Sequence, residues 1–248
     1  MAGSDAPLLL SLPVDARRLA EARGALADWL ERGGVRGEDT DDVLIAANEA
    51  CMNAVEHSGA RDGTKIDLSA QIDGTTLTIE VTDRGKWREP VPGGDRGHGL
   101  GLMSSLTDEV AIDRGDEGTR VRMRREVAFG PPAERRSEPA SVTIGEVRGV
   151  NVAIVQGEID LAAVDRIGAE LEPVAGVPTP LAVDLSEVSY LDSAGVHLIF
   201  KLARRHQEAG GVTRIVAPGG AVRRVLELTG VEATLGLDGS VDQALARF

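Results

Sequence analysis

The sequence predicts two domains in succession: an α+β layer with helices on one face of an antiparallel or mixed sheet, then a smaller α/β domain. Three observations carry this. Helix-period apolar spacing over 15–32 and 41–57 is followed by two pairs of alternating runs, each pair joined by a turn signal. The stretch 128–141, with Gly130, Pro131, Pro132 and the charged run from Glu134 to Pro139, reads as a linker. Beyond it strand and helix signals alternate. A length of 248 residues suits two ordinary domains, here 1–127 and 142–248.

Composition narrows the function classes. The chain is 42% hydrophobic and 27% charged, the profile of a globular protein. A net charge of -13 argues against direct contact with nucleic acid or an anionic membrane, which attract a cationic footprint. No stretch approaches the roughly 20 apolar residues of a membrane span, and 1–13 lacks a basic segment before its leucines, so a cytoplasmic location is expected. Cys51 is the single cysteine, which excludes an internal disulfide and fits a small buried apolar group.

The first helix, 15–32, places Leu19, Ala22, Leu26, Trp29 and Leu30 on one face and stops at Gly33-Gly34. The second starts near Asp41, with Asp39 or Thr40 as its cap, and runs to His57. Strands follow at 65–71 and 75–83 around Asp73-Gly74, and at 109–113 and 119–127 around 114–118. Between these pairs lies a charged, Gly- and Pro-rich segment that leads into a short helix after Gly97. In the second half, strands are expected at 142–147, 151–158, 181–185 and 212–217, with helices at 162–172, 193–208 and 221–228.

The second helix carries the chemistry. Glu49, Asn53 and His57 recur every four residues and therefore share a face, while Leu44, Ala47, Cys51 and Val55 turn to the core. Such a stripe on an amphipathic helix is by itself most often a solvated surface. Two later motifs change its meaning. Asp83-Arg84-Gly85 closes a strand, where a carboxylate can accept from an exocyclic amine. Gly97-His98-Gly99-Leu100 opens a helix, where backbone N–H groups can approach phosphate oxygens.

In this order the motifs make 10–127 resemble the GHKL (Bergerat) ATPase fold in its anti-sigma-factor serine kinase branch. The resemblance implies ATP and Mg2+. It makes Glu49 the general base, Asn53 the magnesium ligand and Asp83 the adenine acceptor, with Gly85 keeping that wall open. Gly97, Gly99 and Leu100 would shape the phosphate cradle, and Thr119 would place a hydroxyl near the adenine pocket. His57 matches a histidine often found after the first motif. The loop after Gly85 departs from the family by lacking a further nearby glycine, which implies a shorter, stiffer lid. Lys86, Arg88 and Arg96 in that loop either meet phosphates or are solvated, and Trp87 either covers the nucleotide or packs.

Residues 142–246, with Leu181-Ala182-Val183-Asp184-Leu185 and Asp192-Ser193-Ala194-Gly195, resemble the STAS fold of anti-sigma-factor antagonists. Either Asp192 or Ser193 would cap the helix that starts there. The resemblance adds that Ser193 is the phosphoacceptor. Ala194 stands where antagonists often carry a second hydroxyl, which leaves Ser193 as the sole acceptor of the motif.

The sequence therefore reads as a partner-switching regulator: a Mg-ATP-dependent protein serine kinase acting on a STAS serine, its own Ser193 or that of a partner antagonist, and so controlling a sigma factor. Homodimers are common in the family. A linker of about 14 residues spans roughly 20 Å as a coil and up to about 50 Å extended, giving millimolar local concentrations where geometry permits. The alternative is a non-catalytic module in which ATP controls STAS or sigma-factor docking. A histidine kinase is disfavoured because no helix with an acceptor histidine precedes the first domain.

Overall fold

The computed structural model describes residues 6–57, 65–84, 98–115, 118–130 and 138–248, with the side chains of all but His57 and His98. The chain divides into two compact units, Met1–Glu134 and Arg135–Phe248.

In the first unit the elements run β1 (Leu8–Pro13), α1 (Ala16–Arg32), α2 (Gly37–His57), β2 (Lys65–Asp73), β3 (Thr76–Asp83), α3 (His98–Leu106), β4 (Glu109–Gly115) and β5 (Gly118–Glu126). The sheet order is β1-β2-β3-β5-β4, antiparallel throughout. One face is apolar, with Ile66, Leu68, Leu77, Ile79, Val81, Val121 and Met123 buried beneath the helices. The other bears Ser69, Gln71, Thr78, Glu80, Arg122 and Arg124, which line a shallow polar groove. There Glu80 accepts from Arg122 Nη2 at 2.9 Å and pairs with Arg120 Nε at 3.0 Å. The period-two alternation of β2, β3 and β5 thus decides which face the helices cover.

The helix α1 starts where expected, because the Asp15 side chain accepts from Arg17 N at 3.0 Å and satisfies an otherwise unpaired donor of the first turn. The start of α2 needs correction. It begins at Gly37, one turn earlier than the expected Asp41, since Thr40 N already bonds the Arg36 carbonyl at 2.9 Å. Asp39 is consequently a residue of the first turn, and its carboxylate is used elsewhere. The strand β1 was not foreseen. Its six residues gain their partners only by pairing with β2 from Leu8 opposite Ala70 to Pro13 opposite Lys65.

The second unit comprises β6 (Ser141–Val147), β7 (Val150–Ile159), α4 (Val164–Ala175), β8 (Leu181–Leu191), α5 (Ser193–Glu208), β9 (Thr213–Val216), α6 (Gly220–Leu228), α7 (Val231–Leu235), β10 (Leu237–Asp238) and α8 (Val241–Leu245). Its sheet order is β10-β9-β8-β7-β6. The β6–β7 hairpin is antiparallel and the other pairs are parallel. Central β8 is buried over Leu181 to Leu185 and runs six residues past the expected end, to Leu191. Buried His206 ties α5 to the sheet: Nε2 donates to the Thr179 carbonyl at 2.9 Å and Nδ1 meets Thr213 Oγ1 at 2.7 Å. The final elements α7, β10 and α8 are too short to show a period and were not anticipated.

Residues on either side of 131–137 are tied down. Phe129 bridges Val35 in the first unit, and Pro139 bridges Glu158 in the second. Among the described residues no helix is long and apolar enough to cross a membrane.

Candidate functional site

The helix α2 packs against α1, α3 and the sheet strands β2, β3 and β5. Leu44, Ala47 and Cys51 are buried as expected, at 5%, 2% and 2% exposure, whereas Val55, expected with them, is only half-buried. Of the polar stripe, Glu49 and Asn53 are described, and Glu49 is not solvated as a stripe on an isolated amphipathic helix would be. Glu49 is only 1% exposed, and Asn53 one turn later is half-buried. Burial also pushes the Cys51 thiol up to about 12, so it stays protonated and inert at neutral pH.

What covers Glu49 is the first turn of α3. A Cβ built on Gly99 would lie 2.7 Å from Glu49 Oε2 and 3.9 Å from Asn53 Oδ1. The absence of a side chain at this position therefore lets the backbone of α3 approach the carboxylate and the amide together. The start of a helix has N–H groups without intrahelical acceptors and a partial positive charge, which suits anionic oxygen at this place. Leu100 is half-buried, while Leu102, Met103 and Leu106 hold α3 to the core.

The second cluster lies at the end of β3. Asp83 is paired directly with Thr119 on β5, and both are buried, at 7% and 4% exposure. Both belong to the helix-covered side of the sheet. Gly118 makes this pairing possible: its φ is +137°, and a Cβ there would come 1.8 Å from the Asp83 carbonyl oxygen. A carboxylate beside a hydroxyl can accept from, and donate to, an aminopurine edge. Thr119 was expected here from the sequence, unlike Gly118, whose place directly before Thr119 was the only local sign of this role. Gly85, Gly97, Lys86, Trp87, Arg88 and Arg96 lie outside the described residues, as does the side chain of His57.

An amide oxygen beside a carboxylate is a hard-oxygen donor set that fits magnesium carried by phosphates. Among the described residues no group of three His, Cys, Asp or Glu could hold a metal alone. Asn53 could offer its amide oxygen to such an ion, with the Glu49 carboxylate one turn earlier on the same face.

In the second unit Asp192, not Ser193, takes the capping role. Its side chain accepts from Gly195 N at 3.0 Å, and Ser193 is the first helical residue, half-buried. Gly195 cannot bear a side chain because a Cβ would sit 2.9 Å from the Ile159 carbonyl oxygen and 2.4 Å from Leu191 Cδ1. Asp and Gly are thereby explained by architecture, whereas Ser193 has no capping duty.

Residues 12–125 match the family model of the histidine kinase-like ATPase domain, and residues 142–244 that of the STAS domain. Over 108 residues, 42% of the chain, the protein is 34% identical to the anti-sigma-F factor antagonist RsfB of Mycobacterium tuberculosis, covering 86% of that protein. Over 105 residues, 37% of the chain, it is 33% identical to the anti-sigma F factor of Clostridium acetobutylicum, covering 73% of that protein. The chain belongs to the family of anti-sigma factors and their antagonists. A third similarity, 29% over 134 residues and 47% of the chain, is to the serine-protein kinase RsbW of Bacillus thuringiensis, of which it covers 82%. This anti-sigma chain combines a GHKL-type ATPase unit with a STAS unit, the partner-switching architecture expected from its motifs.

Proposed function

We propose that the protein is a Mg-ATP-dependent protein serine kinase whose acceptor is a STAS serine, Ser193 of its own chain or the equivalent serine of a partner antagonist, and that this transfer governs the availability of a sigma factor. The observation that carries the reading is the meeting of Glu49 and Asn53 with Gly99, a buried carboxylate and an amide against a helix start stripped of its side chain. The names of its relatives, which include a serine-protein kinase and an antagonist, support it.

In this reading Asp83 and Thr119 recognise the adenine, and the backbone around Gly99 accommodates the phosphates. Asn53 would hold the magnesium ion, which would supply neutralisation of phosphate charge. Glu49 accepts the proton of the serine hydroxyl as its oxygen bonds to the γ-phosphorus and the bond to the leaving ADP oxygen breaks. Phosphoryl transfer needs chiefly alignment and charge stabilisation, so this small set of groups is sufficient. The protein acts in the cytoplasm, and it can form a homodimer.

The test is incubation of purified protein with Mg-ATP and phosphopeptide mapping, with and without a separate STAS protein. Phosphate on Ser193 or on the added partner is expected. Glu49→Gln should lower the rate about 10²- to 10⁴-fold, the usual contribution of a positioned base. ATP bound tightly with no phosphate on any residue would replace this reading with a nucleotide-gated docking module.

A further inference from the structure

At the opposite end of β5 from Thr119 stands Arg125, on the helix-covered side, with its side chain 18% exposed. Its Nε and Nη2 donate to Asp39 Oδ1 at 3.3 and 2.9 Å, and Nη2 lies 2.8 Å from Asp42 Oδ2. Its Nη1 donates to the carbonyl of Leu106. Asp39 and Asp42 project from the start of α2, and Leu106 is the last residue of α3. One guanidinium therefore holds the foot of the helix that carries Glu49 and the foot of the helix that carries Gly99.

The two arms match. Asp42 precedes Glu49 by seven residues and Leu106 follows Gly99 by seven, so each helix rises about 10 Å from Arg125 to the contact at the site. The path Arg125, Asp42, Glu49, Gly99, Leu106 and back to Arg125 is a closed frame. Axial slip of either helix by a fraction of a turn would separate the carboxylate from the α3 backbone. The second oxygen of Asp39 extends the frame, accepting from Ala128 N at 2.9 Å just where the chain leaves β5. Arg36 N and Gly130 N then bond the carbonyls of Ala128 and Gly34 at 2.7 and 2.9 Å.

Stability alone is a poor reason for such a group. Desolvating a guanidinium and two carboxylates costs about as much as their attraction returns, and apolar replacements of buried ion pairs are often as stable. What the forked guanidinium supplies is fixed geometry with several acceptors at once. Resting on the kinase reading, we propose that Arg125 is a positioning residue for the nucleotide site: it sets the register of α2 against α3 that brings Glu49 to Gly99.

The experiment uses the full chain and three variants: Arg125→Met, Arg125→Lys, and Leu68→Ala as a cavity control in β2, a strand that supplies no group to this frame. Mg-ATP affinity is measured by calorimetry, phosphotransfer by its KM and kcat, and folding by thermal unfolding. A misplacement of about 1 Å can cost about 100-fold in rate. Arg125→Met should therefore weaken nucleotide binding at least about tenfold and lower kcat by a similar or larger factor, with a melting temperature no lower than that of Leu68→Ala. Leu68→Ala should bind as the unaltered protein does, and Arg125→Lys should recover part of the loss. Should Arg125→Met not fold, Asp42→Asn takes its place, with a loss of about threefold or more expected. Unchanged affinity and rate in a folded variant overturn the proposal, as does an equal loss in Leu68→Ala. An unaltered protein that binds no nucleotide overturns the kinase reading itself, a result visible before any variant is made.

Discussion

The Cα of Gly99 faces Oε2 of Glu49 so closely that a Cβ would lie 2.7 Å from it. The atom in the way is the end of a movable side chain, so Gly99→Ala should displace the carboxylate without unfolding the unit. We expect a melting temperature within a few degrees of the unaltered protein and a fall in phosphotransfer of about 100-fold, consistent with the sensitivity of aligned sites to small displacements. Parallel thermal unfolding and single-turnover kinetics check this; equal losses in both would refute it.

At Gly118 the obstacle is backbone. A Cβ would meet the Asp83 carbonyl oxygen at 1.8 Å and Arg84 Cα at 2.8 Å, at a φ of +137°. Gly118→Ala should cost about 3 kcal/mol or more, combining overlap with a strained conformation. Gly24→Ala provides the contrast, because nothing lies within 4 Å of its Cβ in α1. That change should stabilise by about 0.5–1 kcal/mol. Urea unfolding of the two variants gives the comparison.

The start of α5 separates the capping residue, Asp192, from the proposed phosphoacceptor, Ser193. Asp192→Ala removes the acceptor of Gly195 N and should cost about 1–2 kcal/mol. Ser193→Ala should cost less stability than Asp192→Ala while abolishing phosphate incorporation at this position. A loss in Ser193→Ala as large as that in Asp192→Ala, read from denaturant midpoints, would assign the capping role wrongly.

Cys51 predicts an alkaline weakness. Its thiol is held protonated to about 12 in the folded chain, against 9.0 when freed. Between these values the unfolded state releases a proton that the folded state keeps, so stability falls as pH rises, by at most about 1.4 kcal/mol per pH unit. Below 9 the group contributes no slope. Cys51→Ala should flatten the decline measured from pH 9 upward relative to the unaltered protein, and native Cys51 should resist a thiol reagent at pH 8. An unchanged slope would show that other groups dominate.

What could be read without a structure was local or recurrent. Asp15 and the pair Asp192-Ser193 announce the helices that follow them because capping involves residues two or three apart, and Asp73-Gly74 announces a hairpin because the turn is made by its own residues. The motif order around Glu49, Asn53, Asp83 and Gly99 was legible for the same reason: each motif is a few residues long. The strand β1 and the closing elements α7, β10 and α8 were not, since such short segments are held by partners rather than by their own periodicity.

By itself the chain of residues determined two domains, their order, and the motifs that make each resemble its family. Only the folded arrangement decided that Glu49 is enclosed rather than solvated, that Asp192 and not Ser193 caps α5, and that Asp39 grips Arg125 instead of opening α2. The reason is physical. Propensity and capping act over a turn of helix or a pair of strands, whereas burial and ion pairing depend on groups such as Asp39 and Arg125 that meet only after the sheet and its helices have closed on one another.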